Sequence, residues 1–151
     1  MYERQILGLE EAQRAIQAMI EEAKVPKGSG LPMSVAITDY EGHLVCLARM
    51  DGSRDFNVSM AIRKAYTAAR WRRNTTAVGE LMQRRKWNVI EFGSEYTIVP
   101  GGVAIAKPSE EQVYGATYGA IGVAGRVPAA EDEAIALAGL KAIQDALWPS
   151  K

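Results

Sequence analysis

The sequence predicts a single α+β domain, an antiparallel sheet flanked by helices. Two segments have the 3.6-residue period of amphipathic helices, and a long helical segment lies near the C-terminal end. Two β-like runs lie between the first two helical segments, and the others lie between the second and the last. Clustered antiparallel strands combined with separate helices are typical of α+β proteins. The chain has 151 residues, of which 48% are hydrophobic. That is enough for one domain with its own core, so we expect one domain over residues 1–151.

The first half of the chain reads as helix, hairpin and helix. An apolar face with helical period predicts a helix over Leu9–Ala23, which stops at the breakers of KVPKGSGLP. The runs MSVAITD and HLVCLARM are β-like, and the DYEGH between them suits a tight turn. These three features predict an antiparallel hairpin. A second helix is predicted over about Asp55–Arg73, with small alanines on the face that would lie against the sheet.

The second half is less regular until its last helix. Thr75 or Thr76 could cap a short helix over about Val78–Gln83, and RRKWNVIEFGSEY is expected to be mostly irregular. YTIVPGGVAIA and EQVYGATYGAIGVAG are strand-like, joined by the turn KPSEE. Close packing is expected at the glycines of the second run, which are Gly115, Gly119 and Gly122. PAAEDEAIALAGLKAIQDALW predicts a final helix, apolar most of the way round, which favours subunit contact.

Composition argues against several classes of partner. Lys plus Arg equals Asp plus Glu at 18 each, so we expect neither a nucleic-acid nor a membrane partner. A cationic cluster from Arg70 to Trp87 is interpreted as a solvated helix face and loop. Cys46 is the only cysteine, which rules out an intrachain disulfide. The charged N-terminus does not resemble a signal peptide and no apolar run reaches membrane length, so we expect a cytoplasmic protein.

Familiar catalytic and metal-binding motifs are absent from the sequence. It has one histidine and none of the patterns HExxH, CxxC, GxxxxGK[ST] or GxSxG, so no metal site is expected. His43 directly follows the predicted turn and is interpreted as an exposed turn residue. Cys46 is interpreted as a small core residue because no neighbouring base is identifiable.

The strongest candidate site combines three charged residues with a glycine turn. Arg49 and Asp51 have the same strand parity at the end of the second strand, so they tend to point to the same side. Lys64 falls at the edge of the apolar arc of the second helix, where its stem could deliver the ammonium to a cleft. The turn Pro100–Gly102 would bring backbone N–H groups close to a ligand. Two alternatives stay open: an Arg49–Asp51 pair that only fixes the strand-to-helix turn, and glycines with a structural role.

Four blocks of the sequence together resemble the GlcG/HbpS-like family, which also supplies the C-terminal domain of PduO-type proteins. The blocks are ITDYEGHLVCLARMDGS, AIRKAYTAA, VPGGVAI and VYGATYGAIGVAG…EDEAIALAG, and the similarity extends from Leu9 to about Ala146. The resemblance implies a five-stranded antiparallel sheet flanked by helices, with profilin- or PAS-like character. It also implies homo-oligomers, dimers or larger. Family members have been linked to haem binding, corrinoid binding and glycolate-related metabolism, so haem or a corrinoid is the cofactor class implied.

The resemblance also selects site residues. The positions that match its motifs, or that lie beside them, are taken to line one cleft: Arg49, Asp51, Lys64, Tyr96, Pro100, Gly101, Gly102 and Arg126. Where the family often has G-x-S-G-G, this chain has GVAGR. The change removes a hydroxyl and adds Arg126, either a second cation for an acidic ligand or an exposed loop arginine. Trp87, Phe92 and Tyr96 are either aromatic cleft walls or ordinary core residues.

Two functions follow from this interpretation. The first is a binding protein for a tetrapyrrole or a small carboxylic acid. If haem is bound through its iron, His43 is the only imidazole available, with Tyr96, Met50 or Lys64 as weaker ligands.

The second is a cofactor-independent enzyme, an isomerase, lyase or hydrolase, acting on a small carboxylic or carbonyl metabolite. Lys64 would be its base or Schiff-base amine, with a pKa lowered by the apolar arc and Arg49. Asp51 or Glu91 could move a proton, and Arg49 or Arg126 could hold the carboxylate. A scaffold role, supported only by the apolar last helix, is a third hypothesis.

Overall fold

The chain runs helix, hairpin, two helices, two strands and a final helix. The structure is a computed structural model that describes residues 1–110 and 116–150. A short 3₁₀ helix, Val89–Phe92, follows the third helix. The elements are α1 (Leu9–Lys24), β1 (Ser34–Asp39), β2 (Leu44–Arg49), α2 (Asp55–Trp71), α3 (Thr75–Arg85), β3 (Gly102–Ile105), β4 (Gly119–Ala124) and α4 (Ala130–Leu147). The α+β class, the hairpin and the long helices are therefore confirmed.

The sheet has four antiparallel strands in the order β2-β1-β4-β3. The expectation of five strands is wrong for the part of the chain that the structure describes. YTIVPGGVAIA is a strand only over Gly102–Ile105, because Pro100 has no N–H to pair and Gly101 has a φ of 126°. In EQVYGATYGAIGVAG the strand is Gly119–Ala124. The earlier part of that run, 111–115 with Gly115, lies outside the described residues.

The third helix is longer than predicted and has a different cap. It begins at Thr75 with Asn74 in the N-cap position, and it ends at Arg85. Neither threonine expected to cap it does so: Thr76 donates to Glu133 Oε1 at 3.1 Å, and Thr75, like Asn74, binds β3. The Thr75 hydroxyl accepts from Gly102 N at 3.0 Å, and Asn74 Oδ1 accepts from Ala104 N at 3.0 Å. These two bonds fix the start of α3 to the edge strand of the sheet.

Helices cover both faces of the sheet, and residue size differs between the faces. The larger β side chains face α1 and α4, as Val35, Ile37 and Ile121 show. Alanine and glycine face α2. A Cβ added to Gly122 would lie 1.9 Å from the Ala61 carbonyl oxygen of α2, so the predicted close packing at this glycine is confirmed. Among the described residues no helix is long and apolar enough to cross a membrane.

Candidate functional site

The ammonium of Lys64 is enclosed between α2, β4 and α4. Lys64 Nζ donates to Asp132 Oδ2 at 3.0 Å and to the Val123 carbonyl at 2.8 Å. The side chains of Lys64 and Asp132 are only 3% and 2% exposed. The other carboxylate oxygen of Asp132 accepts from Arg126 N at 2.9 Å. The Lys64–Asp132 ion pair therefore ties the middle of α2 to the first turn of α4.

The Pro100–Gly102 turn packs directly against this ion pair. A Cβ on Gly101 would lie 3.0 Å from Lys64 Nζ and 2.5 Å from the Val123 carbonyl oxygen. A Cβ on Gly102 would lie 2.4 Å from the Lys64 carbonyl oxygen, and the Gly102 N–H is already donated to Thr75. Both glycines are thus required by close approach to α2 and β4, which is the structural alternative considered from the sequence.

Burial opposes charge on both partners of the ion pair. Burial lowers the pKa of Lys64, and the charge and hydrogen bond of Asp132 offset only part of that effect. Burial likewise raises the pKa of Asp132, offset in part by Lys64 and by the N–H groups of Arg126 and Gly125. Each charge is tolerated chiefly because the other is present.

Removing one partner should make stability depend on pH. In Asp132→Asn the attraction that favours charged Lys64 is lost, so the pKa of folded Lys64 should fall further below the ordinary 10.5. Between the folded and unfolded pKa values the unfolded chain binds more protons. The free energy of unfolding should therefore rise with pH across that window, more steeply than in the unmodified protein.

Urea unfolding measured from neutral pH to the ordinary lysine pKa checks this. Asp55→Asn is the matched control, since the Asp55 side chain is 92% exposed and should leave the slope unchanged. Equal slopes in Asp132→Asn and in the unmodified protein would contradict the assignment.

Arg49 and Asp51 are engaged elsewhere. Arg49 Nε donates to the Ser53 carbonyl at 2.7 Å, and Nη1 contacts Asp55 Oδ1 at 2.5 Å. Asp51 is exposed in the turn after β2. Arg49 thus braces the connection from β2 to α2 with Asp55 as its acidic partner. The structure brings neither Arg49 nor Asp51 into hydrogen-bond contact with the Lys64 ammonium.

Arg126 is a structural residue at the end of α1. It is only 6% exposed, so its interpretation as an exposed loop arginine is wrong. Its Nη2 donates to the Ala23 carbonyl at 2.6 Å and its Nη1 to the Lys27 carbonyl at 3.5 Å. A guanidinium at the last carbonyls of a helix satisfies acceptors that have no partner within the helix.

An open groove lies between the β1–β2 turn, the C-terminal end of α2 and the 3₁₀ helix. Its volume is about 580 Å³, within the range of small-molecule sites. Its lining combines aromatic rings with two arginines, one histidine and one glutamate. We call it the aromatic groove, and its lining residues are Tyr40, Glu41, His43, Arg70, Trp71, Arg72, Phe92 and Tyr96.

The walls of the aromatic groove are held by ring contacts and by hydrogen bonds of Arg70. Trp71 meets Phe92 edge-on with ring centroids 5.2 Å apart, and it meets Tyr96 at 6.1 Å. Arg70 Nε donates to the Tyr96 hydroxyl oxygen at 2.9 Å, and the Arg70 guanidinium carbon lies 5.2 Å from the Tyr66 ring centroid. Of the candidate ligand-binding residues selected by the family resemblance, Tyr96 lines this groove, and so does Phe92, which was considered as a cleft wall or a core residue.

His43 is fixed at the rim of the groove by the hairpin turn. Asp39 Oδ1 accepts from the backbone N–H groups of Glu41 at 2.9 Å and His43 at 3.0 Å. Asp39 Oδ2 lies 3.5 Å from His43 Nδ1, and Glu41 Oε2 lies 3.9 Å from it. With Nδ1 directed at carboxylates, Nε2 is the nitrogen presented to a ligand.

Sequence reasoning missed most of this arrangement. His43 was interpreted as an exposed turn residue and also as the only imidazole available to a haem iron, and Arg70 and Trp71 as parts of a solvated cationic stretch. The available signal was the spacing Asp39-x-Glu41-x-His43, which places two carboxylates within one turn of the imidazole. In the part of the chain that the structure describes, no group of three or more His, Cys, Asp or Glu residues is placed to hold a metal ion by itself.

Comparison with known proteins identifies relatives of the whole domain. A family model described as "Haem degrading protein HbpS-like" matches residues 7–141. A double mutant of HbpS from Streptomyces reticuli is 28% identical, with 93% of this chain and 89% of that chain covered and a TM-score of 0.78. A structure of HbpS is also 28% identical, with 93% and 92% covered and a TM-score of 0.79.

A more distant structure shares the fold. It is a PduOC:haem complex, 21% identical, with 91% of this chain and 94% of that chain covered and a TM-score of 0.76. No curated protein matches the chain.

Proposed function

The chain belongs to the HbpS-like family, and from this membership and the geometry of the aromatic groove we propose that it binds haem. The observation that carries the proposal is the position of His43. The sequence contains one histidine, and it lies at the rim of an open groove lined otherwise by aromatic rings, two arginines and Glu41. Flat, apolar and anionic ligands suit such a surface.

The residues of the groove fit the chemical parts of haem. The rings of Trp71 and Phe92 offer apolar surface to the macrocycle, and Arg70 and Arg72 offer cations to its carboxylates. His43 would supply a nitrogen ligand, oriented by Asp39 through Nδ1. When bound, haem would supply an iron centre able to take small ligands or electrons. The protein's own contribution is to bind and orient it.

Relatives support the ligand class. The family is that of haem degrading HbpS-like proteins, and one solved structure of the same fold is a complex with haem. A corrinoid or a small carboxylic acid would use the same arginines, so both belong in the same titration as competitors. A homo-oligomeric state stays a prediction.

The enzyme hypothesis gains no support from the position of its central residue. Lys64 is enclosed, and its ammonium is bonded to Asp132 and the Val123 carbonyl. A general base must lie within hydrogen-bond reach of the proton it removes, and Lys64 does not line the aromatic groove. An enzyme built on Lys64 would first have to separate α4 from α2.

Titration with haemin, followed by absorbance, tests the proposal. We expect a saturable one-to-one Soret shift, and we expect His43→Ala to weaken binding by about 100-fold or to abolish the spectrum of a histidine-ligated iron. Arg49→Gln is the matched control, because Arg49 is also exposed but does not line the groove. A spectrum that stays that of free haemin at equimolar protein, or an unchanged His43→Ala spectrum, would contradict the proposal.

A further inference from the structure

A second surface, beyond the aromatic groove, combines exposed apolar side chains with cations. Trp87, Ile90 and Ile98 are 44%, 57% and 46% exposed, although large apolar residues are usually covered. All three line one shallow groove of about 460 Å³ on the other side of Tyr96. We call the surface formed by Arg84, Arg85, Lys86, Trp87, Ile90 and Ile98 the basic–apolar face. Exposed apolar patches rimmed by polar residues mark interaction sites.

Within the described residues, the three cations of this face have no acidic partner. Arg84 and Arg85 form the last turn of α3, and Lys86 is its C-cap. None of them makes an ion pair within residues 1–110 and 116–150. The Arg85 guanidinium carbon lies 5.5 Å from the Trp87 ring centroid, so cation and ring face outward together.

Charge is distributed unevenly even though the chain is neutral overall. The stretch Arg70–Trp87 holds six Lys or Arg residues and one acid, Glu80, which is a surplus of five positive charges. Glu91 and Glu95 follow it and offset part of that surplus. The rest of the chain carries the matching negative charge. A zero net charge therefore conceals a basic stretch of sequence, three of whose six cations belong to the basic–apolar face, and local charge is what an anionic partner meets.

We propose that the basic–apolar face docks on an anionic phospholipid surface. Charge complementarity favours an anionic partner, because Arg84, Arg85 and Lys86 are consecutive exposed cations that directly precede the exposed Trp87 ring. Lys86 argues for lipid over a protein partner, since lysine is depleted at protein interfaces whereas lysine and arginine both reach lipid phosphates. Trp at the headgroup boundary, aliphatic side chains below it and long Lys or Arg stems reaching phosphates form the usual arrangement of peripheral binding. This proposal is independent of haem binding, and it revises the expectation drawn from net charge alone.

Flotation with vesicles tests the proposal on the full chain. The protein should float with vesicles of phosphatidylglycerol mixed with phosphatidylcholine, and it should not float with phosphatidylcholine alone. Binding should weaken as salt is added, because the cations act through screened attraction. Absence of flotation with the anionic vesicles at low salt would overturn the proposal.

Matched apolar variants locate the contact. Trp87→Ser/Ile90→Ser should lower vesicle partitioning by about tenfold or more, because two inserted side chains are lost. Leu9→Ser/Leu137→Ser removes two apolar side chains of comparable exposure from α1 and α4, and it should leave partitioning unchanged. Circular dichroism confirms that both variants are folded. Equal flotation of the two variants would overturn the proposal. A second result would also overturn it: the unmodified protein forms an oligomer and does not bind vesicles, and only the Trp87→Ser/Ile90→Ser variant dissociates. In that case a second copy of the chain covers this face.

Discussion

Replacing Lys64 with Met or Asp132 with Asn is expected to lower the free energy of unfolding by about 3–5 kcal/mol. Each change leaves the other buried group without its partner, and both side chains are at most 3% exposed. A loss of this size is a large part of the roughly 5–15 kcal/mol that stabilises a typical domain. Urea unfolding of the single variants at neutral pH measures it. A Lys64→Met variant alone is thus a poor test of function.

The double variant Lys64→Met/Asp132→Asn separates pairing from packing. Asn keeps an acceptor for the Arg126 N–H, and Met occupies the space of the lysine stem without a charge. The double variant should recover about 2 kcal/mol or more relative to the sum of the single losses. Strictly additive losses would contradict a direct interaction between the two side chains.

Gly122→Ala is the second change with a large expected effect. The new Cβ would lie 1.9 Å from the Ala61 carbonyl oxygen and 2.6 Å from Ala65 N, both backbone atoms of α2. Because neither atom belongs to a flexible side chain, α2 must move away from the sheet. We expect a loss of about 3 kcal/mol or more in the free energy of unfolding.

Gly79→Ala is the matched control for this substitution. In α3 an added Cβ would make ordinary contact with Ile98, 3.5 Å from its Cβ. Alanine is the better helix former, so stability should rise by up to about 1 kcal/mol. If α2 and β4 are as close as the structure shows, the thermal unfolding midpoint falls in Gly122→Ala and rises in Gly79→Ala. Equal midpoints would contradict it.

The helices and the hairpin could be predicted because their signals are local. The apolar period of α1 and the turn between β1 and β2 are each contained within a few residues. The number of strands was harder to predict than the helices. Because Gly101 has a positive φ and Pro100 has no N–H, β3 begins only at Gly102, although the surrounding sequence is uniformly β-like. The cap of α3 depended on β3, which needs Thr75 and Asn74 as hydrogen-bond acceptors.

The candidate site was harder because its partners are distant in sequence. Strand parity indicates the side to which Arg49 points, but it does not reveal that Asp55 is within its reach. The helical period correctly places Lys64 at an apolar arc, yet its partner Asp132 lies 68 residues further on. Mapping a family motif onto a cleft also treats structural and ligand-binding residues alike. Lys64, Gly101 and Gly102 pack α2 against the sheet and α4, whereas the signal for His43 is only the local spacing of Asp39, Glu41 and His43.

The claim that the Lys64–Asp132 ion pair is structural and that the ligand binds in the aromatic groove is tested most directly by haemin titration. The double variant Lys64→Met/Asp132→Asn is compared with His43→Ala. If the ligand binds in the aromatic groove, the double variant keeps the affinity and Soret spectrum of the unmodified protein while His43→Ala loses them. The opposite result, with haem binding retained by His43→Ala and lost in the folded double variant, would place the ligand at Lys64 and contradict the assignment of the groove.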